Sequence, residues 1–125
     1  MRAELELGWR MPGLNEYVRA ERGSARAAAA MKREQTGMVA AAARAARLPR
    51  FERPVMVSFT WVEPNRRRDV DNVEFAKKFV LDGLVQAGVL PDDSPAHVRA
   101  TRDRVRYAGR GSVTVEITDE IGRGR

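Results

Sequence analysis

The chain has no cysteine, only one histidine and few aromatic side chains, and each shortage excludes a class of site. Without cysteine there is no disulfide, no thiolate metal site and no cysteine nucleophile. The single histidine, His97, cannot build a histidine-rich metal site, and we assign it no role. The chain also lacks an apolar run of about 18 residues, and its first residues, MRAELELGW, lack the apolar core of a signal peptide. We therefore expect a cytoplasmic protein with no membrane partner.

Positive charge is what the chain has in excess. Its 23 Lys and Arg residues outnumber 17 Asp and Glu residues, which gives a net charge of +6 at pH 7. A basic surface favours a polyanionic partner such as nucleic acid, because neutralising phosphates releases counterions. The length of 125 residues suits one domain, which we place at residues 1–119, followed by a frayed basic tail at residues 120–125.

Hydrophobic periodicity predicts an α+β fold, a single small domain with a mixed sheet of about four strands packed against two to three helices. The predicted strands are residues 2–9, 55–62, 98–107 and 112–118. The strand at 55–62 is apolar on much of both faces, so we place it in the centre of the sheet. The last two strands are predicted to form a hairpin at the sheet edge through the turn Gly109-Arg110-Gly111.

Two helices are predicted. The first covers residues 25–48, where Ser24 is the expected N-cap and Gly37 is expected to split or kink the helix. The second covers residues 72–87 and ends at Gly88. Residues 12–15 have the composition of a turn.

A polar stripe follows the second predicted helix. Its members recur at steps of three, four and four: Asp71, Glu74, Lys78 and Asp82. Just before the helix, Asp69 and Asp71 alternate on an extended segment, so their carboxylates can converge. Two hard oxygen donors at that spacing suit Mg²⁺, with Mn²⁺ as a substitute, since Mg²⁺ takes a few carboxylates, keeps waters and accepts substrate phosphate. Asp92 and Asp93 can join them only if the fold returns the chain to the same place.

Each of these features also has a simpler interpretation. Asp71 can be only the N-cap of its helix, with Asn72 as the alternative cap. Lys78 can be paired with its helix neighbours at i±4. The Asp92-Asp93 pair can be ordinary turn residues, and the three consecutive arginines at 66–68 can be a solvated patch.

Taken together, the motifs resemble a known family. The order RRRDVDN, a lysine on the following helix, LDGLVQAGV and then DDS is similar to the RusA family of phage-type Holliday junction resolvases, or crossover junction endodeoxyribonucleases. The earlier segment PGLNEYVR is similar to that family's P-x-x-N-x-Y-x-R segment. The resemblance covers residues 10 to 118 and is most specific between Arg66 and Ser94.

The resemblance implies a RusA-like fold and assigns roles to residues. The three metal-binding aspartates fall on Asp69, Asp71 and Asp93, with Asp92 as an additional candidate ligand, and these carboxylates are implied to be catalytic. The catalytic lysine falls on Lys78, counted back from Asp82. The gap from Asp71 to Asp82 is about three residues longer than in the best-known form of the family, so Lys77 remains an alternative for that role.

The implied function is Mg²⁺-dependent resolution of four-way DNA junctions by paired, symmetric phosphodiester hydrolysis in recombination and repair. A homodimer with two active sites is implied, with branched DNA as the partner and no small-molecule cofactor. The expected DNA contacts are Asn15, Tyr17, Arg19, Arg66, Arg67, Arg68, Lys77, Arg99, Arg102, Arg104 and Arg106. The arginines of the strand at 98–107 can equally be an exposed edge that deters aggregation.

Two other functions remain open at this point. One is a nuclease on the same scaffold that prefers flaps or forks, since a fold fixes chemistry better than DNA geometry. The other is a non-catalytic basic DNA-binding module with structural acids. Against the latter, carboxylates among phosphate-binding arginines repel the ligand unless a cation intervenes.

Overall fold

The computed structural model describes residues 1–121, so residues 122–125 of the predicted basic tail lie outside the described part. Residues 1–121 form four strands and four helices. The strands are β1 (Arg2–Leu7), β2 (Val55–Glu63), β3 (Val98–Tyr107) and β4 (Ser112–Thr118). The helices are α1 (Leu14–Gly23), α2 (Ala25–Ala45), α3 (Val70–Glu74) and α4 (Lys77–Gln86). The predicted fold class, one small domain with a mixed four-stranded sheet, is confirmed.

The strands lie side by side in the order β1-β4-β2-β3. β4 pairs antiparallel with both β1 and β2, whereas β2 and β3 are parallel. A parallel pair needs a crossover connection, and α3 and α4 supply it. The central position predicted for β2 is therefore confirmed.

The predicted hairpin of β3 and β4 is wrong, because β2 lies between these two strands. Burial explains the difference. β4 buries Val113, Val115 and Ile117 at alternate positions, so it gains most from an interior place in the sheet. β3 carries exposed arginines at alternate positions, and a charged strand is well suited to an edge.

The helices cover one face of the sheet, and the core lies between the two layers. On β2, the core-facing side chains are Val55, Val57, Phe59 and Trp61, each at most 2% exposed. Phe79, Val80 and Leu84 of α4 pack onto them in the same cluster. On the opposite sheet face, side chains such as Ser58 and Thr60 stay partly exposed. The sheet is therefore apolar on one side only.

The longest helix, α2, begins as predicted. Ser24 accepts a hydrogen bond at its Oγ from the backbone N–H of Ala27, at 2.9 Å, which satisfies a free donor of the first turn. The split predicted as one outcome at Gly37 is wrong, since the helix runs through that residue to Ala45. Within residues 1–121, no helix combines the length and the apolar character needed to cross a lipid bilayer.

The helix predicted at residues 72–87 is two helices, α3 and α4, divided at Phe75 and Ala76. Around the break, backbone N–H groups bond three residues back, as when Phe79 donates to the carbonyl of Ala76 at 2.9 Å. At the break, the ring of Phe75 packs against that of Tyr17 on α1, with the ring centroids 5.1 Å apart. α1 itself was not predicted from the sequence.

A close helix contact sets a test of this packing. A Cβ added to Gly83 on α4 would lie 2.5 Å from Cβ and Cγ1 of Val39 on α2, whereas one added to Gly37 meets open space. We expect Gly83→Ala to lower the free energy of unfolding by about 1–3 kcal/mol through overpacking. Gly37→Ala is the matched control and should raise it by about 0.5–1 kcal/mol, because Ala is the better helix former. Urea unfolding measures both, and equal effects would contradict the packing described.

Candidate active site

The segment that carries the RRRDVDN motif is fixed to the rest of the fold by Arg68. Its guanidinium donates a 2.9 Å hydrogen bond to the carbonyl of Met11, forms an ion pair with Glu16, and lies 3.8 Å from Glu63. The side chain is only 12% exposed. Arg68 was predicted to contact DNA, but in this structure its donors are engaged inside the protein.

Glu63, at the end of β2, is the buried centre of this network. It is 4% exposed and accepts two hydrogen bonds from Arg10, at 2.8 and 3.2 Å, with Arg68 on its other oxygen. A buried carboxylate is tolerated only when it is paired and hydrogen-bonded. The pairing holds the loop before α1 and the segment before α3 against the same strand end.

Asp69 and Asn72 set the start of α3. Asp69 is the N-cap and accepts a hydrogen bond at Oδ1 from the N–H of Asn72, at 2.9 Å. The sequence-based alternatives, Asp71 or Asn72 as the cap, are therefore wrong. Asn72 is buried, and its Oδ1 accepts from the backbone N–H of Asn15 at 3.1 Å. A Cβ at Gly13 would lie 2.4 Å from that Oδ1, so only glycine allows this close approach.

A shallow cleft follows α3 and the first turns of α4. Its lining residues are Asp71, Glu74, Phe75, Lys77, Lys78 and Leu81. Asp71 is exposed in the first turn of α3, and its side chain forms no hydrogen bond or ion pair among the described residues. The predicted polar stripe thus supplies three members of the cleft, although the helix is broken beneath it.

Lys78 connects this cleft to the DDS turn. Its Nζ donates to Asp93 at 2.9 Å and lies 3.2 Å from Asp82. The hydrogen bond from Lys78 lowers the pKa of Asp93, and the hydrogen bonds to Asp93 and Asp82 raise the pKa of Lys78. The fold therefore brings Asp93 into contact with α4. Such a return of the chain was the condition for Asp93 to share a site with the residues of the helix.

Lys77 also lines the cleft, but its side chain extends toward β3. Its Nζ lies 2.5 Å from Asp103, a carboxylate that also accepts a 2.9 Å hydrogen bond from Nε1 of Trp61. Asp103 is 12% exposed, so Lys77 compensates a largely buried charge. Between the two lysines, only Lys78 is more than half exposed at its side chain. This geometry favours Lys78 over Lys77 for contact with a substrate.

Asp103 and Glu74 are site residues that the sequence analysis did not assign. Burial raises the pKa of Glu74, and the neighbouring charge of Asp103 raises it further. Glu74 was visible as a member of the polar stripe. In the sequence, Asp103 is only one acid among alternating arginines. In the structure, β3 pairs in parallel with β2, and Asp103 lies beside Phe59. Its side chain is therefore on the face of the sheet that the helices cover.

Asp92 adopts the simpler role considered for it. Its Oδ1 accepts hydrogen bonds from the N–H and Oγ of Ser94, at 2.8 and 2.6 Å, and lies 3.0 Å from Nδ1 of His97. The bonds from Ser94 lower the pKa of Asp92 to about 2. These contacts are those of a turn residue.

The candidate metal ligands do not form a closed cage. Within residues 1–121, no group of three or more His, Cys, Asp or Glu side chains has the arrangement to hold a metal ion. One oxygen of Asp69 caps α3 and one oxygen of Asp93 accepts from Lys78. Among these three aspartates, Asp71 lines the cleft, and its carboxylate forms no hydrogen bond or ion pair within residues 1–121.

The other predicted DNA contacts fall into two groups. On the helical side of the chain, before α3 and on α1, Arg66 stacks 4.0 Å over the ring of Tyr107, while Arg67 and Arg19 are exposed. On β3, the exposed arginines are Arg99, Arg102, Arg104 and Arg106. Tyr17 packs in the core beside Phe75. Register places Arg102, Arg104 and Arg106 on the sheet face opposite the helices, away from the cleft.

Neither a scan against protein-family models nor a search of curated proteins found a match to this chain. The geometry of the site therefore stands on its own.

The two lysines are expected to differ in their contribution to stability. Lys77→Met leaves Asp103 without its cation. We expect the free energy of unfolding to fall by about 1–3 kcal/mol, the usual loss when a buried hydrogen-bonding group is left unpaired. Lys78→Met removes exposed pairs and should change it by no more than about 0.5 kcal/mol. Urea unfolding compares the two variants, and an equal loss in both would contradict the burial of the Lys77–Asp103 pair.

Asp92 gives a pH dependence with a defined sign. Its pKa of about 2 in the folded protein is below the 3.8 of an unperturbed aspartate, so its contribution to stability is present above about pH 4 and is lost as the pH falls toward 2. In Asp92→Asn this dependence disappears. We expect the stability difference between wild type and variant to shrink from pH 4 to pH 2, measured by urea unfolding at several pH values. A difference independent of pH would refute the assignment.

Proposed function

We propose that this protein is a Mg²⁺-dependent, structure-selective endodeoxyribonuclease that resolves four-way DNA junctions by paired symmetric nicks. The observation that carries the proposal is the contact of Lys78 with Asp93. It links the DDS turn to a lysine that lines the same cleft as Asp71. The motif order, similar to that of the RusA resolvases, and the net charge of +6 support the same function.

The side chains of the cleft suit phosphodiester hydrolysis. Asp71 offers a free carboxylate, a ligand type that Mg²⁺ combines with water and substrate phosphate. Bound there, the metal would supply an activated water and neutralise developing negative charge. No preformed cage is present among the described residues, so Asp69 and Asp93 would contribute through the carboxylate oxygen that is not engaged in the helix cap or with Lys78, after moving toward the metal.

Lys78 would act on the phosphate itself. Its raised pKa keeps the ammonium charged at neutral pH, and its side chain is 56% exposed beside the cleft. A fixed cation near the scissile phosphate stabilises the charge that builds on its oxygens. Asp82 and Asp93 hold the ammonium in place from two sides.

DNA contact beside the cleft would rest on Arg66 and Arg67. Both are exposed and directly precede the anchored Arg68. Contacts to phosphates position a protein without reading sequence, which suits recognition of a branched shape.

One observation favours a second candidate, a non-catalytic DNA-binding module. Three of the four implied metal ligands already have structural contacts: Asp69 caps α3, Asp92 orders its turn, and Asp93 pairs with Lys78. In that case Asp71 would be an ordinary exposed acid, and its loss would leave function unchanged.

Cleavage of a synthetic four-way junction tests the proposal, with linear duplex, flap and fork substrates alongside. We expect paired symmetric nicks in the junction with Mg²⁺ and none with EDTA. Asp71→Asn should reduce the cleavage rate by at least about 100-fold, the scale for losing a group that stabilises a transition state. Junction binding, measured by gel shift, should persist because it rests on cations.

The matched control is Glu34→Gln on α2, which makes the same change of charge at an exposed position. It should cleave like wild type. Cleavage restricted to flaps or forks would assign the nuclease to another branched substrate. Binding without cleavage under Mg²⁺ or Mn²⁺ would select the binding module instead.

A further inference from the structure

The sheet face opposite the helices carries charges that are sorted by strand. Three exposed acids lie at the β1 side: Glu4 and Glu6 on β1 and Glu116 on β4. Three exposed arginines lie on the other edge strand, β3: Arg102, Arg104 and Arg106. The β1 side of this face also carries one exposed arginine, Arg2. Acids therefore outnumber cations on that side, whereas the β3 side is basic.

The strand register arranges these charges in rows. In one row, Glu6 lies opposite Thr114, Thr114 opposite Thr60, and Thr60 opposite Arg104. The neighbouring row runs Glu4, Glu116, Ser58, Arg102. Each row therefore has an acid at the β1 edge, an arginine at the β3 edge and a small hydroxyl side chain next to the arginine.

The two edges are too far apart to pair within one chain. Three strand spacings separate β1 from β3, or about 14 Å. Glu6 accepts a hydrogen bond from Thr114 at 2.6 Å, and Arg104 reaches Thr60 at 3.5 Å. Among the ion pairs of residues 1–121, the only one that includes a charge of this face joins Arg2 of β1 to Glu120, at 3.7 Å. The three acids and the three arginines of β3 form none. The charges are therefore available to an external partner.

We propose that this open sheet face binds a second copy of the chain, face to face, about a twofold axis parallel to the strands. A half turn about that axis exchanges the two edges, so the acids of each copy lie over the arginines of the other. A twofold axis across the strands would place acids over acids. Self-complementarity of one patch is what a twofold interface requires.

DNA fits this face less well than a second copy does. A phosphate backbone lying across the sheet would meet Glu4, Glu6 and Glu116, which repel it. A second copy satisfies both charge signs at once. Arg102 and Arg104 are thereby assigned to the interface rather than to DNA.

The inference deepens the proposed function by naming the contact surface of its homodimer, and it rests on that function only for the expectation of two copies. Four strands of about six residues cover roughly 19 by 20 Å. That footprint, about 400 Å² per copy, is about half of the ~800 Å² per partner in a standard interface and is in the range of weak, transient contacts. We therefore expect a weak dimer that dissociates as salt screens its charges.

Charge reversal of each edge provides the test. One variant carries Arg102→Glu and Arg104→Glu, and the other carries Glu4→Lys and Glu6→Lys. Sedimentation velocity without DNA or metal should show a concentration-dependent dimer for wild type and a monomer for each variant alone. An equimolar mixture of the two variants should dimerise again, because each then meets its opposite charge on both sides of the axis.

The control carries Arg26→Glu and Arg33→Glu, two exposed positions on α2, within the helix layer. It has the same charge change and should dimerise like wild type. Circular dichroism melting checks that every variant is folded.

A wild type that is monomeric at all concentrations, or a variant mixture that stays monomeric, would overturn the inference. Unchanged dimerisation of the Arg102→Glu, Arg104→Glu variant would also overturn it, and lost junction binding would then assign these arginines to DNA. Because DNA cleavage is measured separately, failure here is distinguishable from failure of the nuclease proposal.

Discussion

The buried carboxylate of Glu63 is the constraint on which the functional end of the molecule depends. It lies at the end of the central strand and is neutralised by Arg10 and Arg68, which come from the loop before α1 and the segment before α3. Removing either arginine would leave a charge in the core with too few partners. Because Arg68 directly precedes Asp69, this ion network also fixes where α3 begins and hence where Asp71 emerges.

The charged and polar residues of RRRDVDN therefore divide into two kinds. Arg68, Asp69 and Asn72 are used in building the segment, through an ion network, a helix cap and a bond to the backbone of Asn15. Arg67 and Asp71 remain exposed. Placing a free acid beside free cations is costly for a surface whose only task is to bind phosphate, and this favours a role for the acid in chemistry.

The one-sided sheet gives the molecule a second polar surface, distinct from the cleft. Helices cover the face built from Phe59, Trp61 and Val115, so the other face is free to carry charge. The strand order places the acid-bearing β1 and arginine-bearing β3 at opposite edges. Had β3 and β4 formed the hairpin predicted from their adjacency, the arginines would lie beside Glu116 and the charges would not be separated across the sheet.

By itself, the sequence determined the features that depend on near neighbours: the strand periods, the Ser24 cap, the α+β class and the polar stripe from Asp71 to Lys78. Its local turn at 109–111 predicted the wrong strand pairing. Phe75 and Ala76 looked helical and keep helical dihedral angles, but the hydrogen bonds there run three residues back and divide the helix. Only the tertiary structure decided which charges are structural. The Glu63–Arg10 and Lys77–Asp103 pairs join residues 53 and 26 positions apart. Such pairs follow from how buried surfaces fit together, and no local pattern specifies that fit.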